Sequence, residues 1–256
     1  RFSARLLPAL SRLSQIFPAL GDGPLPQSQT LEYEARYGRH VTLLVACGLK
    51  REARIIDRPG RDVSVVIGGG DAARLEAELT ARAELLPELM LSCGIAGGLM
   101  PSLKPGDVVI DGDEAVLALL QRALPQAIVG RISGSDAIIA TAMAKRALSA
   151  RDSAIAADME THIVQRVARA KGLPFGAIRV ISDGAGDDLP PAALVGMRPD
   201  GGMALGAVLG SLARHPAQLP ALLRTGRQAG CAFKALDETF EAVMRAGIAQ
   251  SSQNES

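Results

Sequence analysis

From residue 41 onward, short runs rich in β-branched residues alternate with stretches of helical periodicity, and this rhythm restricts the possible folds more than any other feature. "VTLLVAC" (41–47), "DVSVVIGG" (62–69) and "ELMLSCG" (88–94) read as strands, with "DAARLEAELTARAELL" (71–86) as a helix between the last two. "GDVVIDG" (106–112), "AIVGRIS" (127–133), "SAIAAD" (153–158) and "PFGAIRVIS" (174–182) supply further strands, and helices are expected near 140–150 and 160–171. Strands joined by helices predict an α/β fold, a twisted mixed sheet covered by helices. Ile163, Val164, Val167 and Ala168 recur at helical spacing and are expected to face the core. The C-terminal third, which includes "PAQLPALLRTGRQAGCAFKALDETFEAVMRA", is expected to be helical and to pack on the sheet.

A chain of 256 residues can bury the core that such a sheet needs. The N-terminal segment stands apart: "RFSARLLPALSRLSQIFPAL" is basic and apolar, and "GDGPLPQSQT" reads as a linker. Residues 1–40 are therefore expected to be an appendage, poorly ordered or an amphipathic helix at a membrane surface, and 41–250 a single domain. No run reaches the eighteen apolar residues of a membrane-spanning helix.

The formal net charge of +1, two Tyr and no Trp give neither the field nor the stacking surfaces that nucleic-acid binding uses. Cys47, Cys93 and Cys231 are too scattered for a disulfide framework and are expected to be small core residues. His40, His162 and His215 show no metal-ligand spacing, so no metal is expected. Any chemistry then rests on carboxylates and backbone groups.

Carboxylates follow three of the strands. Glu52 comes just after the first, Asp158 and Glu160 lie in "ADMETH" (157–162), and Asp183 ends "VISD". Carboxyl ends of strands are where open α/β sheets bind ligands, so Glu52, Glu160 and Asp183 are expected to converge on one crevice. The plainer reading of Glu160 is an acid at a helix start, and that of Asp183 a strand-end cap. "GGGDAAR" (68–74) fits the loose dinucleotide pattern GxGxxA through Gly68, Gly70 and Ala73, although an anion cradle at a helix start asks for less. In "CGIAGGLMPSLKPGDVVI" (93–110), Gly94, Gly97 and Gly98 are read as a strand end, then either a close approach to a ligand or a wide turn.

Taken in order, "CGLKREA" (47–53), "GIAGGLMPSLKPGDVVI" (94–110), "SGSDAII" (133–139) and "AADMETHIVQRVARAKGLPFGAIRVISD" (156–183) resemble the nucleoside phosphorylase and nucleosidase superfamily, which includes methylthioadenosine/S-adenosylhomocysteine nucleosidases and purine nucleoside phosphorylases. The resemblance implies a three-layer phosphorylase-type fold with a helical C-terminal third. The stretch "DLPPAALVGMRPDGGMALGAVLGSLARHPAQLPALLR" (188–224) is similar to the branch associated with hopanoid biosynthesis, whose members are thought to release adenine from adenosylhopane.

The resemblance implies roles residue by residue. Asp183 matches the aspartate that protonates or hydrogen-bonds N7 of the departing base, with Ser182 orienting it. Glu160 matches the glutamate that accepts hydrogen bonds from the ribose hydroxyls, and Met159 the methionine packed on the sugar. Ile139 lies where adenine is held through backbone groups, and Ile138 where many nucleosidases stack a phenylalanine. Glu52 matches the glutamate that activates water in the hydrolytic members. Gly48, Arg51, Gly69, Ile95, Ala96 and Gly97 mark the phosphate or water site, with Arg54 and the loop at 68–70 beside it. Ile95 stands where the nucleosidases often carry a hydroxyl residue. Asp158 replaces a residue often neutral and is expected to be a helix-start acid.

These correspondences imply cleavage of the N-glycosidic bond of a purine nucleoside: adenine release from adenosylhopane, by phosphorolysis from the branch likeness or by hydrolysis. A methylthioadenosine/S-adenosylhomocysteine nucleosidase and a non-catalytic purine-nucleoside binding protein are the alternatives. No cofactor is expected, only phosphate as a co-substrate if the reaction is phosphorolytic. The expected partner is a small nucleoside, lipid-linked in the hopanoid reading, with the apolar "PPAALVGM" (190–197) as either a wall for its 5′ group or ordinary core packing. A cytoplasmic homo-oligomer with peripheral membrane contact completes the expectation.

Overall fold

A computed structural model describes residues 43–195, 200–202 and 204–247. The expected 1–40 appendage lies outside the described residues, as do residues 196–197 of the apolar wall. Eight strands make one mixed sheet: β1 (Leu43–Cys47), β2 (Val63–Ile67), β3 (Leu89–Gly98), β4 (Val108–Gly112), β5 (Ile128–Val129), β6 (Ile132–Gly134), β7 (Ala156–Asp158) and β8 (Phe175–Asp183). Their main order is β2-β1-β3-β8-β4-β5. The first four run parallel, β4 is antiparallel to β8, and β7 pairs antiparallel with Gly97 and Gly98 at the far end of β3.

Burial on both faces explains the uninterrupted apolar runs. In β1, Leu43, Val45 and Cys47 enter one core while Leu44 and Ala46 enter the other, because successive side chains point to opposite faces. The first core is closed by Ile56 of α1 (Lys50–Ile56), Val116 and Leu120 of α3 (Glu114–Ala123), and Phe233, Leu236, Phe240 and Val243 of α8 (Leu219–Arg245). The second is closed by Leu75 and Leu79 of α2 (Ala72–Ala83) and by Ile163, Val164 and Val167 of α5 (Thr161–Lys171). Three layers result, with the expected α5 stripe buried. Between α3 and α5, α4 (Ala142–Asp152) packs Leu148 on a smaller cluster with Leu99 and Ala157. After the sheet, α6 (Pro191–Leu194) and α7 (Leu205–Arg214) lead into α8.

Several elements differ from the sequence expectations. "AIVGRIS" is two short strands, because the chain breaks at Gly130, where a Cβ would lie 2.3 Å from Ile155 Cδ1. The strand expected to end near Gly94 continues to Gly98, so Gly94, Gly97 and Gly98 are strand residues and no wide turn begins there. Helix α3 was not distinguished in the sequence from the strands around it. Cys47 and Cys93 are buried as expected, but Cys231 is exposed on α8. Among the described residues no helix is long and apolar enough to cross a membrane.

Candidate active site

The parallel strands β1, β3 and β8 end at one edge of the sheet, and the expected carboxylates gather there. Glu52, in the first turn of α1, turns back onto the end of β1 and is 1% exposed. Its Oε2 accepts from the backbone N–H of Gly48 (2.8 Å) and Leu49 (2.7 Å), and its Oε1 accepts from the N–H of Ile95 (2.8 Å). Burial raises its pKa, opposed by Arg179 and by these three amides.

Glu160 precedes α5 and is also buried. A Cβ on Gly48 would lie 2.8 Å from Glu160 Oε1 and one on Gly68 would lie 3.3 Å from Glu160 Cγ, so the two glycines make room for this side chain. Glu160 and Met159 line a small cleft with Gly68, Gly70, Asp71 and Asp136. Burial pushes the Glu160 carboxyl up to about 8, with Asp158 and Glu52 adding to the rise and Arg179 opposing it.

The cation common to these acids is Arg179, in the middle of β8 and fully buried. Its Nη2 is paired with Asp158, lies 3.3 Å from Glu160 Oε2, and donates to Ser92 Oγ at 2.5 Å. Burial alone would weaken the charged form, but Asp158, Glu160 and Glu52 hold its pKa above the ordinary value. Asp158 also accepts from the N–H of Thr161 at 3.1 Å. It is therefore a helix-start acid, as expected, and in addition the closest counter-ion of Arg179.

Asp183 ends β8 and is 6% exposed. Its Oδ2 is 2.5 Å from Lys145 Nζ and its Oδ1 is 2.7 Å from Ser182 Oγ. Ser182 Oγ is also 3.1 Å from the Ala96 carbonyl. Gly97 pairs with Asp183 across the sheet at the bulge after Ala96, where a Cβ would come within 3.3 Å of Asp183 Oδ2.

The remaining candidates divide. Gly48, Ile95, Ala96 and Gly97 lie beside the carboxylates, and Gly69 donates its N–H to Gly48 O at 3.0 Å. Arg51 does not join them: its guanidinium sits 4.1 Å above the Phe233 ring on the α8 side. Ile139 packs against the Leu99–Leu148 cluster, and Ile138 is 36% exposed. In the 68–74 loop the Asp71 side chain caps α2 by accepting from Arg74 N at 3.0 Å, and the N–H groups of Gly68 and Gly69 donate to the Cys47 and Gly48 carbonyls. Among the described residues no group of three or more His, Cys, Asp or Glu is placed to hold a metal ion.

Sequence reasoning missed Arg179 and Lys145. A signal for Arg179 was present, since a charge inside the apolar run "FGAIRVIS" must find buried partners. Lys145 carried no comparable signal, because "AMAKRALSARD" is as polar as any surface helix.

A model of the Phosphorylase superfamily matches residues 111–209, which include Glu160 and Asp183. No curated protein matches the chain. Among solved structures, the chain is similar to futalosine hydrolase of Helicobacter pylori, at 15% identity over 79% of this chain and 97% of that one, with a TM-score of 0.52. It is similar to 5′-methylthioadenosine/S-adenosylhomocysteine nucleosidase of the same organism at 16% identity, covering 79% of this chain and 99% of that one, again with a TM-score of 0.52. The corresponding nucleosidase of Campylobacter jejuni gives 15% identity, 77% and 99% coverage, and a TM-score of 0.50. The segment 111–209 thus matches the Phosphorylase superfamily model, and the sheet and helices around it are similar in fold to these solved structures.

Proposed function

We propose that this protein cleaves the N-glycosidic bond of a purine nucleoside. The observation that carries the reading is the gathering of Glu52, Glu160 and Asp183 at one sheet edge, each buried and each set against a glycine that leaves it room. Asp183 protonates the departing base, which is general-acid work. Glu160, once ionised, offers two acceptor oxygens to the ribose hydroxyls while Met159 covers the sugar. Its charge also stabilises the oxocarbenium-like centre that develops as the base leaves.

Water is the better-supported ribosyl acceptor. The amides of Gly48 and Ile95, two residues of the expected phosphate or water site, both donate to Glu52, and this holds a carboxylate ready to act as base toward water. Phosphorolysis would require those amides to change partners.

For the substrate we favour an adenine nucleoside with a large apolar 5′ group, adenosylhopane in the hopanoid reading. Leu194 and Val195, in the segment after Asp183, are 36% and 45% exposed, which suits a wall for such a group better than core packing. A methylthioadenosine/S-adenosylhomocysteine nucleosidase is the second reading, favoured by the fold likeness. Contact with a membrane, through the lipid substrate, and assembly as a homo-oligomer belong to the same proposal.

Base release from adenosylhopane, methylthioadenosine and inosine, each with and without phosphate, tests the readings together. Adenine from adenosylhopane without phosphate is the expected result. Phosphate dependence would overturn the water assignment, preference for methylthioadenosine would select the second reading, and silence on all substrates would leave a nucleoside-binding protein.

A further inference from the structure

Lys145 is the one lysine of the described residues that is fully buried, and it lies on α4 rather than on β8, the strand that carries Asp183. Its ammonium has three protons and three acceptors: Asp183 Oδ2 at 2.5 Å, the Gly184 carbonyl at 2.7 Å and the Asp187 carbonyl at 3.0 Å. The helix that carries it is held to the same segment, since Ala142 N–H donates to Asp188 Oδ1 at 2.7 Å and Leu189 N–H to the Ala140 carbonyl at 2.8 Å. This buried cation is therefore aimed at one oxygen of one carboxylate.

The other oxygen meets a group that works in either direction. A hydroxyl has a single proton, so Ser182 Oγ donates either to Asp183 Oδ1 or to the Ala96 carbonyl. With Asp183 ionised, Ser182 donates to Oδ1. With Asp183 protonated on Oδ1, the carboxyl donates to Ser182 Oγ and Ser182 turns to Ala96. Oδ2 has no such freedom, because its neighbour is an ammonium that offers only protons.

We propose that Lys145 is a positioning residue for leaving-group protonation, holding Oδ2 so that Oδ1 is the oxygen that carries the proton to the base. The inference rests on the glycosidic-cleavage reading. As the bond between the anomeric carbon and the base nitrogen breaks, its electron pair goes to the purine, and the proton of Asp183 Oδ1 passes to the base. Asp183 is left as a carboxylate beside the ammonium of Lys145, which offsets the new charge.

A double-mutant cycle for base release tests this, using whichever nucleoside the wild-type protein cleaves. Lys145→Met is expected to lower kcat about ten- to a hundredfold with KM changed less than about threefold. In an Asp183→Asn background the same substitution is expected to cost less than about threefold, because the group through which Lys145 acts is already gone. Equal losses in both backgrounds would show a structural role and overturn the proposal. Lys145→Gln keeps a donor for the two carbonyls without the charge and serves if Lys145→Met does not fold; wild-type turnover in it would also overturn the proposal. A wild-type protein that releases no base from any nucleoside would refute the glycosidic reading itself, and this role of Lys145 with it.

Discussion

Glu160 Oε2 lies 3.3 Å from Arg179 Nη2, and both side chains are buried. Asp158 pairs with the same nitrogen, and Glu52 reaches the other side of the guanidinium across Gly94. Three acids around one cation leave excess negative charge in a poorly solvated site. Glu160 answers it by holding its proton up to about pH 8.

A consequence concerns stability against pH. The Glu160 carboxyl titrates near its ordinary value of 4.5 when unfolded and near 8 when folded, so the folded state binds its proton more tightly. Its contribution is complete below about pH 4.5 and is lost as pH rises through about 8. Thermal unfolding followed from pH 5 to 9 is expected to show a fall in Tm for the wild-type protein that is shallower in Glu160→Gln. Parallel curves would contradict the assignment.

Removing the shared cation is expected to do more damage. Arg179→Met leaves Asp158, Glu160 and Glu52 without their common counter-charge, and breaking a buried pair in this way costs about 3–5 kcal/mol. Urea denaturation at pH 7 measures the loss. The deficit should shrink at pH 5, where more of the carboxyl charge is neutralised.

Asp183→Asn keeps the shape of the side chain and removes the transferable proton. On the proposed reading kcat falls by about two orders of magnitude or more, the usual contribution of a general acid, while the fold is retained. Steady-state base release and a thermal melt together check it, and a wild-type rate would remove Asp183 from the mechanism.

Gly94 tests how tightly the site is packed. A Cβ there would lie 2.6 Å from Glu52 Oε1 and 2.7 Å from Arg179 Nη1, and both side chains are buried. Gly94→Ala is expected to cost about 1–3 kcal/mol and to lower turnover by displacing Glu52. Gly226→Ala, on α8 with nothing within 4 Å of the added carbon, should instead stabilise by about 1 kcal/mol. Chemical denaturation of the pair distinguishes a local clash from a general intolerance of alanine.

The sheet and most of its helices were legible because they depend on local periodicity. The runs "LLVAC" and "FGAIRVISD" read as strands from their β-branched and apolar content, and the spacing of Ile163, Val164 and Val167 defined a helix face. What was misread at this level followed from close approaches between distant segments. Gly130 breaks a strand because Ile155 fills the space its Cβ would take, and Gly94 stays in a strand because Glu52 and Arg179 need the space beside it.

The candidate site was legible as a set of residue types. Glu52, Glu160 and Asp183 could be named from their motifs and from their positions after strands. Arg51 was misplaced because the sequence cannot say that its side chain turns to Phe233 on α8. Asp158 looked like a helix-start acid alone because its second partner, Arg179, lies on another strand.

The order of strands and helices and the supply of acids at the strand ends are thus properties of the sequence itself, since backbone alternation and helical periodicity act over a few neighbouring residues. Which cation serves which acid was decided only in the tertiary structure. Lys145 reaches Asp183 across 38 residues of chain, and Ser92 meets Arg179 across 87. A buried charge is stable only where folding brings its counter-charge and hydrogen-bond partners together, and that pairing is absent from any local stretch of sequence.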